Sequence, residues 1–136
     1  IFFRCLAELS LEDQSDDEVM NVLQDAYYSP QYLVGEVRER IVGWVGDYKR
    51  RLQQDGYSNE ERKARMNRVN PKYVLRNYLA QLAIDRSEKG DHEMIGELLE
   101  VLRNPYVEQQ GKEAFAEKRP EWARDRVGCS MLSCSS

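Results

Sequence analysis

The sequence predicts an all-α protein, an irregular helical bundle of about five helices with an extended, mobile C-terminal tail. Apolar residues recur every three or four positions in several segments, and no segment shows the alternation typical of a strand. Serine–proline and asparagine–proline pairs and single glycines separate these segments. The 136 residues fit a modest core. We therefore predict a helical region over 1–106 and an irregular tail over 107–136.

The first part of the chain predicts two helices. Residues 1–10 have the spacing of a short helix, and its apolar face would be formed by Phe2, Phe3, Leu6 and Leu9. An acidic loop follows, and Ser15 with Glu18 three residues later forms a capping box. A second helix should therefore begin there and end near Tyr28.

The longest helix is predicted from Pro30 to Asp55, with Ser29 as its N-cap and Gly56 as its C-cap. An apolar stripe runs along it through Val34, Val37, Ile41, Trp44 or Val45, Tyr48 and Leu52. Glycine lowers helix propensity by about 1 kcal/mol relative to alanine. Its three glycines therefore indicate either close packing against another element or a kink; they are Gly35, Gly43 and Gly46.

Three further helices are predicted after Gly56. Ser58 and Glu61 form a second capping box for a short polar helix to about Asn67. Asn70–Pro71 should start the next, which runs to Lys89 with Val74, Leu75, Tyr78, Leu79, Leu82 and Ala83 inward. Asp91 should cap the last, whose buried face would be Met94, Ile95, Leu98, Leu99 and Leu102. From residue 105 the periodicity is weak, and we expect one helical turn over 121–124.

Charge and composition exclude several classes of protein. The net charge of −4 disfavours nucleic acid as the main partner, and no apolar run approaches the length of a membrane span. Residues 62–76 carry six basic residues and no acidic one, which predicts either a phosphate-binding face or a solvated stripe, or one that pairs with an acidic neighbour domain. The start at Ile1, without a signal-peptide layout, suggests a piece of a longer protein.

The candidate chemical groups are few. Cys129 and Cys134 lie near the C-terminus, where an exposed thiolate could exchange with a disulfide, favoured at Cys129 by Arg124 and Arg126. Inert thiols are the alternative, and Cys5 in an apolar run should be buried and inert. His92 is the only histidine and should lie on the surface. We assign no catalytic, cofactor-binding or metal residue, because no nucleotide-binding motif or metal-ligand set is present.

Four segments together resemble the C-terminal part of the selenoprotein O family: Asn70–Gln81, Leu99–Tyr106, Arg119–Trp122 and Cys134–Ser136. The resemblance implies a pseudokinase-like enzyme that transfers AMP, or UMP in some members, onto protein hydroxyl groups. It implies ATP and magnesium or manganese as cofactors of the full-length protein. The implied partners are an upstream kinase-like lobe and protein substrates, without nucleic acid or membrane. The implied compartment is the cytoplasm in a bacterium and the mitochondrion in animal relatives.

The same resemblance assigns one residue a role. Cys134 occupies the position of selenocysteine in animal members, and in bacterial relatives this cysteine can pair with one in the kinase-like core and restrain activity. Cys134 is therefore the predicted redox residue, and Cys129 is a weaker candidate for a resolving partner. The family's catalytic motifs would lie upstream of Ile1. A self-sufficient helical interaction module without a catalytic link is the competing hypothesis, and nucleic-acid binding through 62–76 is a third.

Overall fold

A computed structural model of the protein describes residues 1–129, and it confirms the all-α prediction. These residues form six α-helices and several short 3₁₀ turns, and no strand occurs among them. The chain divides into two compact units, Ile1–Asn70 and a second that begins at Pro71. The division differs in position from the boundary at 106/107 that the change in periodicity suggested.

The first unit contains α1 (Phe2–Glu8), α2 (Asp16–Leu23), α3 (Gly35–Asp55) and α4 (Asn59–Val69). Both predicted capping boxes are confirmed. The Glu18 N–H donates to Ser15 Oγ over 3.3 Å and the Ser15 N–H donates back to Glu18 over 2.7 Å. The Ser15 hydroxyl also donates to the Glu18 carboxylate, over 2.9 Å, and the bond from the Ser15 N–H together with this one lowers the pKa of Glu18. Ser58 and Glu61 repeat the arrangement at the start of α4.

Helix α3 begins later than predicted. Pro30–Tyr32 forms only a 3₁₀ turn, since the Ser29 side chain makes no capping hydrogen bond there. The α-helix starts after extended Val34, at Gly35 with a φ of +54°, and ends at the predicted glycine cap, Gly56. A β-carbon at Gly43 or Gly46 would meet no heavy atom within 4 Å. The close packing predicted around these two glycines is therefore not found within residues 1–129.

The core of the first unit is small and contains one buried charged side chain. Its cluster of buried apolar residues consists of Leu6, Leu9, Val19, Leu23 and Val45. Arg62 on α4 is 4% exposed, and its guanidinium donates to the carbonyl oxygens of Leu6, over 3.0 Å, and Leu9. These carbonyls belong to the C-terminal end of α1, where a positive charge is favoured by the helix dipole. A single side chain thus joins the first and fourth helices.

The second unit begins with a segment that sequence analysis assigned wrongly. Residues 71–76 are not helical, and α5 spans Asn77–Ser87. The N–H groups of Lys72 and Tyr73 both donate to the carbonyl oxygen of Pro105, over 2.8 and 3.1 Å, and the Tyr73 side chain is buried. Because the segment is tied to Pro105 in this way instead of forming a helix, Val74 and Leu75 are exposed and not inward as predicted.

Helix α6 spans Glu93–Arg103 and follows the predicted stop at Gly90. The predicted cap at Asp91 is wrong by one residue, because the N-cap is His92, which makes no side-chain capping hydrogen bond. Asp91 instead accepts a hydrogen bond from the Glu93 N–H, two residues later, over 3.0 Å. Met94 and Leu98 are buried as predicted, together with Val101. The predicted inward positions Ile95 and Leu99 are exposed, so α6 buries a narrower face than its apolar pattern suggests.

The irregular segment after α6 completes the core of the second unit. Gln109 donates from its side-chain amide to the carbonyls of Val101 and Asn104, both over 2.9 Å, at the C-terminal end of α6. Glu121–Ala123 forms the predicted helical turn. The core cluster combines helical and irregular residues: Tyr78, Leu79, Ala83, Met94, Leu98, Ala123 and Cys129. Over the described part of the chain, no helix is long and apolar enough to cross a membrane.

Candidate functional site

Of the two predicted redox cysteines, only Cys129 lies among the residues that the structure describes. Cys134 lies outside the described residues, so its role stays a prediction. Cys129 is 4% exposed and packs in the core cluster of the second unit. The expectation of an exposed thiol at Cys129 is therefore wrong, because the irregular segment folds back onto α5 and α6. Its function as a resolving cysteine stays a prediction, and it would require this segment to leave the core. Cys5 is half-buried in α1.

A polar cluster, here called the Asp85 anchor, holds the chain just before Cys129. It consists of Gln81 and Asp85 on α5 with Trp122 and Arg126 on the irregular segment. The Arg126 guanidinium lies 2.6 Å from an Asp85 carboxylate oxygen and 5.8 Å from the Trp122 ring centroid. The Gln81 amide donates to Asp85 over 3.0 Å. Arg126, which the sequence assigned to the Cys129 thiolate, is thus bound to Asp85.

Two further features fix the Asp85 anchor. Gly128 has a φ of +83°, and a β-carbon there would lie 2.3 Å from the Gln81 side-chain oxygen, so only glycine fits without displacement. The hydrogen bond from Gln81, followed by that from Arg126, lowers the pKa of Asp85. The carboxylate is therefore held in its charged form, as an ion pair with Arg126 requires.

The basic stretch 62–76 does not form one phosphate-binding face. Arg62 is buried against α1, Lys63 lies 2.7 Å from Glu8, and Lys72 is paired with Glu108. The Arg65 guanidinium lies 4.2 Å from the centroid of the Tyr57 ring. The stretch also crosses the boundary between the two compact units at Asn70. These contacts within the chain argue against one continuous phosphate-binding face, and pairing with an acidic neighbour domain stays a prediction.

The side chains of His92 and Lys49 make hydrogen bonds with neighbouring residues of the fold. His92 lies on the surface, as predicted, with its Nδ1 2.7 Å from the Ser87 hydroxyl. Burial lowers the pKa of Lys49, whose ammonium donates to Gln14 over 2.8 Å and to the Glu12 carbonyl over 3.3 Å. Within residues 1–129 no three histidine, cysteine or acidic side chains converge in a way that could hold a metal ion.

The first unit carries a surface that sequence analysis missed, the aromatic groove. Its volume is about 370 Å³, and it is lined by Phe2, Leu23, Tyr27, Val37, Arg40, Ile41 and Trp44. The Trp44 ring stacks on Tyr48 at 5.5 Å and lies 6.0 Å from Phe2, yet 46% of the residue is exposed. The apolar stripe on α3 was recognised in the sequence, but its meeting with Phe2 depends on how α1 packs.

The described residues therefore define a helical region with an open apolar groove, the Asp85 anchor and a buried thiol. Comparison with known proteins then identifies the family. The family model described as "Protein adenylyltransferase SelO" matches residues 1–103. The chain belongs to this family, which confirms the resemblance to selenoprotein O found in the sequence.

Curated relatives agree with this assignment. Proteins named "Protein nucleotidyltransferase YdiU" are 52% identical in Rhodopirellula baltica, 50% in Aromatoleum aromaticum and 53% in Tolumonas auensis, each over 100% of this chain. The matched part is 27%, 25% and 25% of those relatives. The chain thus spans about a quarter of the length of the curated relatives that it matches.

Proposed function

We propose that this chain is the C-terminal helical, redox-regulatory part of a protein adenylyltransferase. The full-length protein would transfer AMP, or UMP, from a nucleoside triphosphate to serine, threonine or tyrosine hydroxyls of other proteins. The names of the family and of the relatives support the transferase part of this proposal, together with about 50% identity over the entire chain. For a bacterial protein the proposed compartment is the cytoplasm.

We assign catalysis to the three quarters of the protein outside this chain. ATP and magnesium or manganese would bind there, in the kinase-like lobe, because these 136 residues contain none of the glycine-rich or kinase motifs that hold a nucleotide. The two helical units would brace that lobe. The exposed aromatic groove supports the bracing role, since a large exposed apolar surface marks an interaction site.

The proposed regulation resides in Cys134. Its thiol would form a disulfide with a cysteine of the kinase-like lobe and restrain transfer. The two thiols would give two electrons and two protons to a peroxide, which is reduced to water and an alcohol or to two waters. Cys129 is the weaker candidate for a resolving thiol, because it is buried until the irregular segment opens.

Transfer of labelled AMP tests the division of labour. The full-length protein and this chain are incubated side by side with ATP labelled at the α-phosphate, magnesium and acceptor proteins. We expect label on protein with the full-length enzyme and none with the chain alone. Incorporation by the chain alone would refute the assignment of catalysis to the remaining part. A silent full-length protein would refute the transferase itself.

Replacement of Cys134 tests the regulatory role. In the full-length enzyme, Cys134→Ser should remove the inhibition by peroxide and leave the activity of the reduced enzyme unchanged. Cys5→Ser is the matched control, and it should keep the wild-type response. If the chain were a self-sufficient interaction module without a catalytic link, Cys134→Ser would leave the oxidant response unchanged. That outcome would favour the module, for which the open groove would then be the binding surface.

A further inference from the structure

The aromatic groove of the first unit has a buried base and is bordered by aromatic rings. Leu23 at its floor is fully buried, and Phe2 and Trp44 stand on opposite helices, α1 and α3, with ring centroids 6.0 Å apart. Phe3 and Tyr48 extend the ring contacts on either side, at 5.7 and 5.5 Å. Such contacts fix the orientation of the rings, so the groove exists before anything binds in it.

Most of the apolar side of α3 is not buried within the first unit. Over its 21 residues only Val45 is buried, while Val37 and Trp44 remain 49% and 46% exposed along the groove. Phe3, which is 58% exposed and contacts Phe2 ring to ring, enlarges this apolar surface. Exposed patches of this kind mark places where another part of a protein docks.

The charge at the rim of the groove narrows the chemistry of the partner. The other three arginines of α3 form ion pairs with aspartates. Their guanidinium nitrogens pair with carboxylate oxygens as follows: Arg38 with Asp17 at 2.6 Å, Arg51 with Asp55 at 2.7 Å, and Arg50 with Asp47. Within residues 1–129, Arg40 makes no ion pair, although it lines the groove. An apolar side chain next to a carboxylate would fill the groove and also pair with this guanidinium.

We infer that the aromatic groove binds a segment from the remaining three quarters of the same protein. That segment would present an apolar side chain next to an acidic residue. This inference rests on the proposed function. Relatives about half identical over the entire chain are some four times as long, so that part accompanies the groove in every molecule. A tethered partner binds at a high effective concentration, which favours it over a second copy.

Oxidative footprinting of the full-length protein tests the inference, because hydroxyl radicals label exposed tryptophans. The groove variant is Val37→Glu, and the matched control is Val69→Glu, at an exposed valine on α4. We expect Trp44 to be protected in wild type and to become severalfold more reactive in Val37→Glu. Val69→Glu should leave Trp44 protected. Reversal of charge in Arg40→Glu should also expose Trp44, whereas Arg68→Glu on α4 should not.

Two results would overturn the inference. One is high Trp44 reactivity in wild type that Val37→Glu does not change, which would show an empty groove. The other is protection that disappears on about tenfold dilution, which would show a second copy as the occupant, since intramolecular docking does not depend on concentration. Neither result depends on AMP transfer, so failure of the docking and failure of the transferase are separate outcomes.

Discussion

The two compact units reach a folded core by different means. In the first unit the buried apolar residues come almost entirely from helices, and a buried arginine on α4 joins the end of α1 to the core. In the second unit two α-helices are insufficient, and an irregular segment supplies Ala123 and Cys129. The difference shows that regular periodicity identifies one core and misses part of the other.

Loss of the buried arginine should give the largest effect. Arg62→Met keeps the length and the apolar stem but leaves the carbonyls of Leu6 and Leu9 without their donor. Hydrogen bonds from a charged group contribute roughly 1.5–3 kcal/mol each, so we expect a loss of about 3 kcal/mol. Urea unfolding followed by circular dichroism measures it.

Lys63→Met is the matched control for Arg62. Its ammonium pairs with Glu8 at the surface, and exposed ion pairs contribute about 0–1 kcal/mol. Equal losses for the two variants would contradict the structural role of Arg62 and remove the distinction between the two cores.

Overpacking the irregular segment should have a smaller effect, confined to the second unit. Ala123 is fully buried, and Ala123→Leu inserts three carbon atoms into a filled core, which costs about 2 kcal/mol. Hydrogen exchange of α5 and α6 should rise, while that of α1 and α2 stays as in wild type. Ala114→Leu, at an exposed position in the same segment, should leave all four helices unchanged. Protection of α5 and α6 in Ala123→Leu would show that the segment is not part of this core.

The smallest effect is expected at the Asp85 anchor, where it should depend on pH. Because the folded-state pKa of Asp85 is lowered, its carboxylate stabilises the fold above the unfolded pKa of about 3.9, and this is lost as pH falls through the lowered value. The stability difference between wild type and Asp85→Asn should thus be present at neutral pH and disappear at strongly acidic pH.

Asp125→Asn provides the control for that pH dependence, since Asp125 is exposed. Its stability should follow that of wild type throughout the acid titration in thermal unfolding experiments. A constant difference between wild type and Asp85→Asn at every pH would contradict the assigned ion pair with Arg126 and would indicate a packing effect of the amide.

Sequence reasoning succeeded where the determining contacts are local. Ser15 and Glu18 lie within one helical turn, so their capping box could be recognised from the spacing. It failed at residues 71–76, because the carbonyl that holds Tyr73 belongs to Pro105, 32 positions away. The burial of Cys129 likewise depends on α5 and α6, and the groove depends on the meeting of Phe2 with Trp44. Contacts between distant positions leave no periodic signal.

The buried Cys129 also sets a length. Four residues lie between it and Cys134, which makes five α-carbon steps, and an extended chain spans at most about 3.6 Å per step. While Cys129 stays in the core, the α-carbon of Cys134 can therefore sample only a sphere of about 18 Å radius around it. A cysteine that formed a disulfide with Cys134 would therefore have its α-carbon within about 25 Å of that of Cys129, since bonded cysteines have α-carbons at most about 7 Å apart. The burial of Cys129 thus limits which cysteines could form a disulfide with Cys134, because distance excludes the others whatever their reactivity.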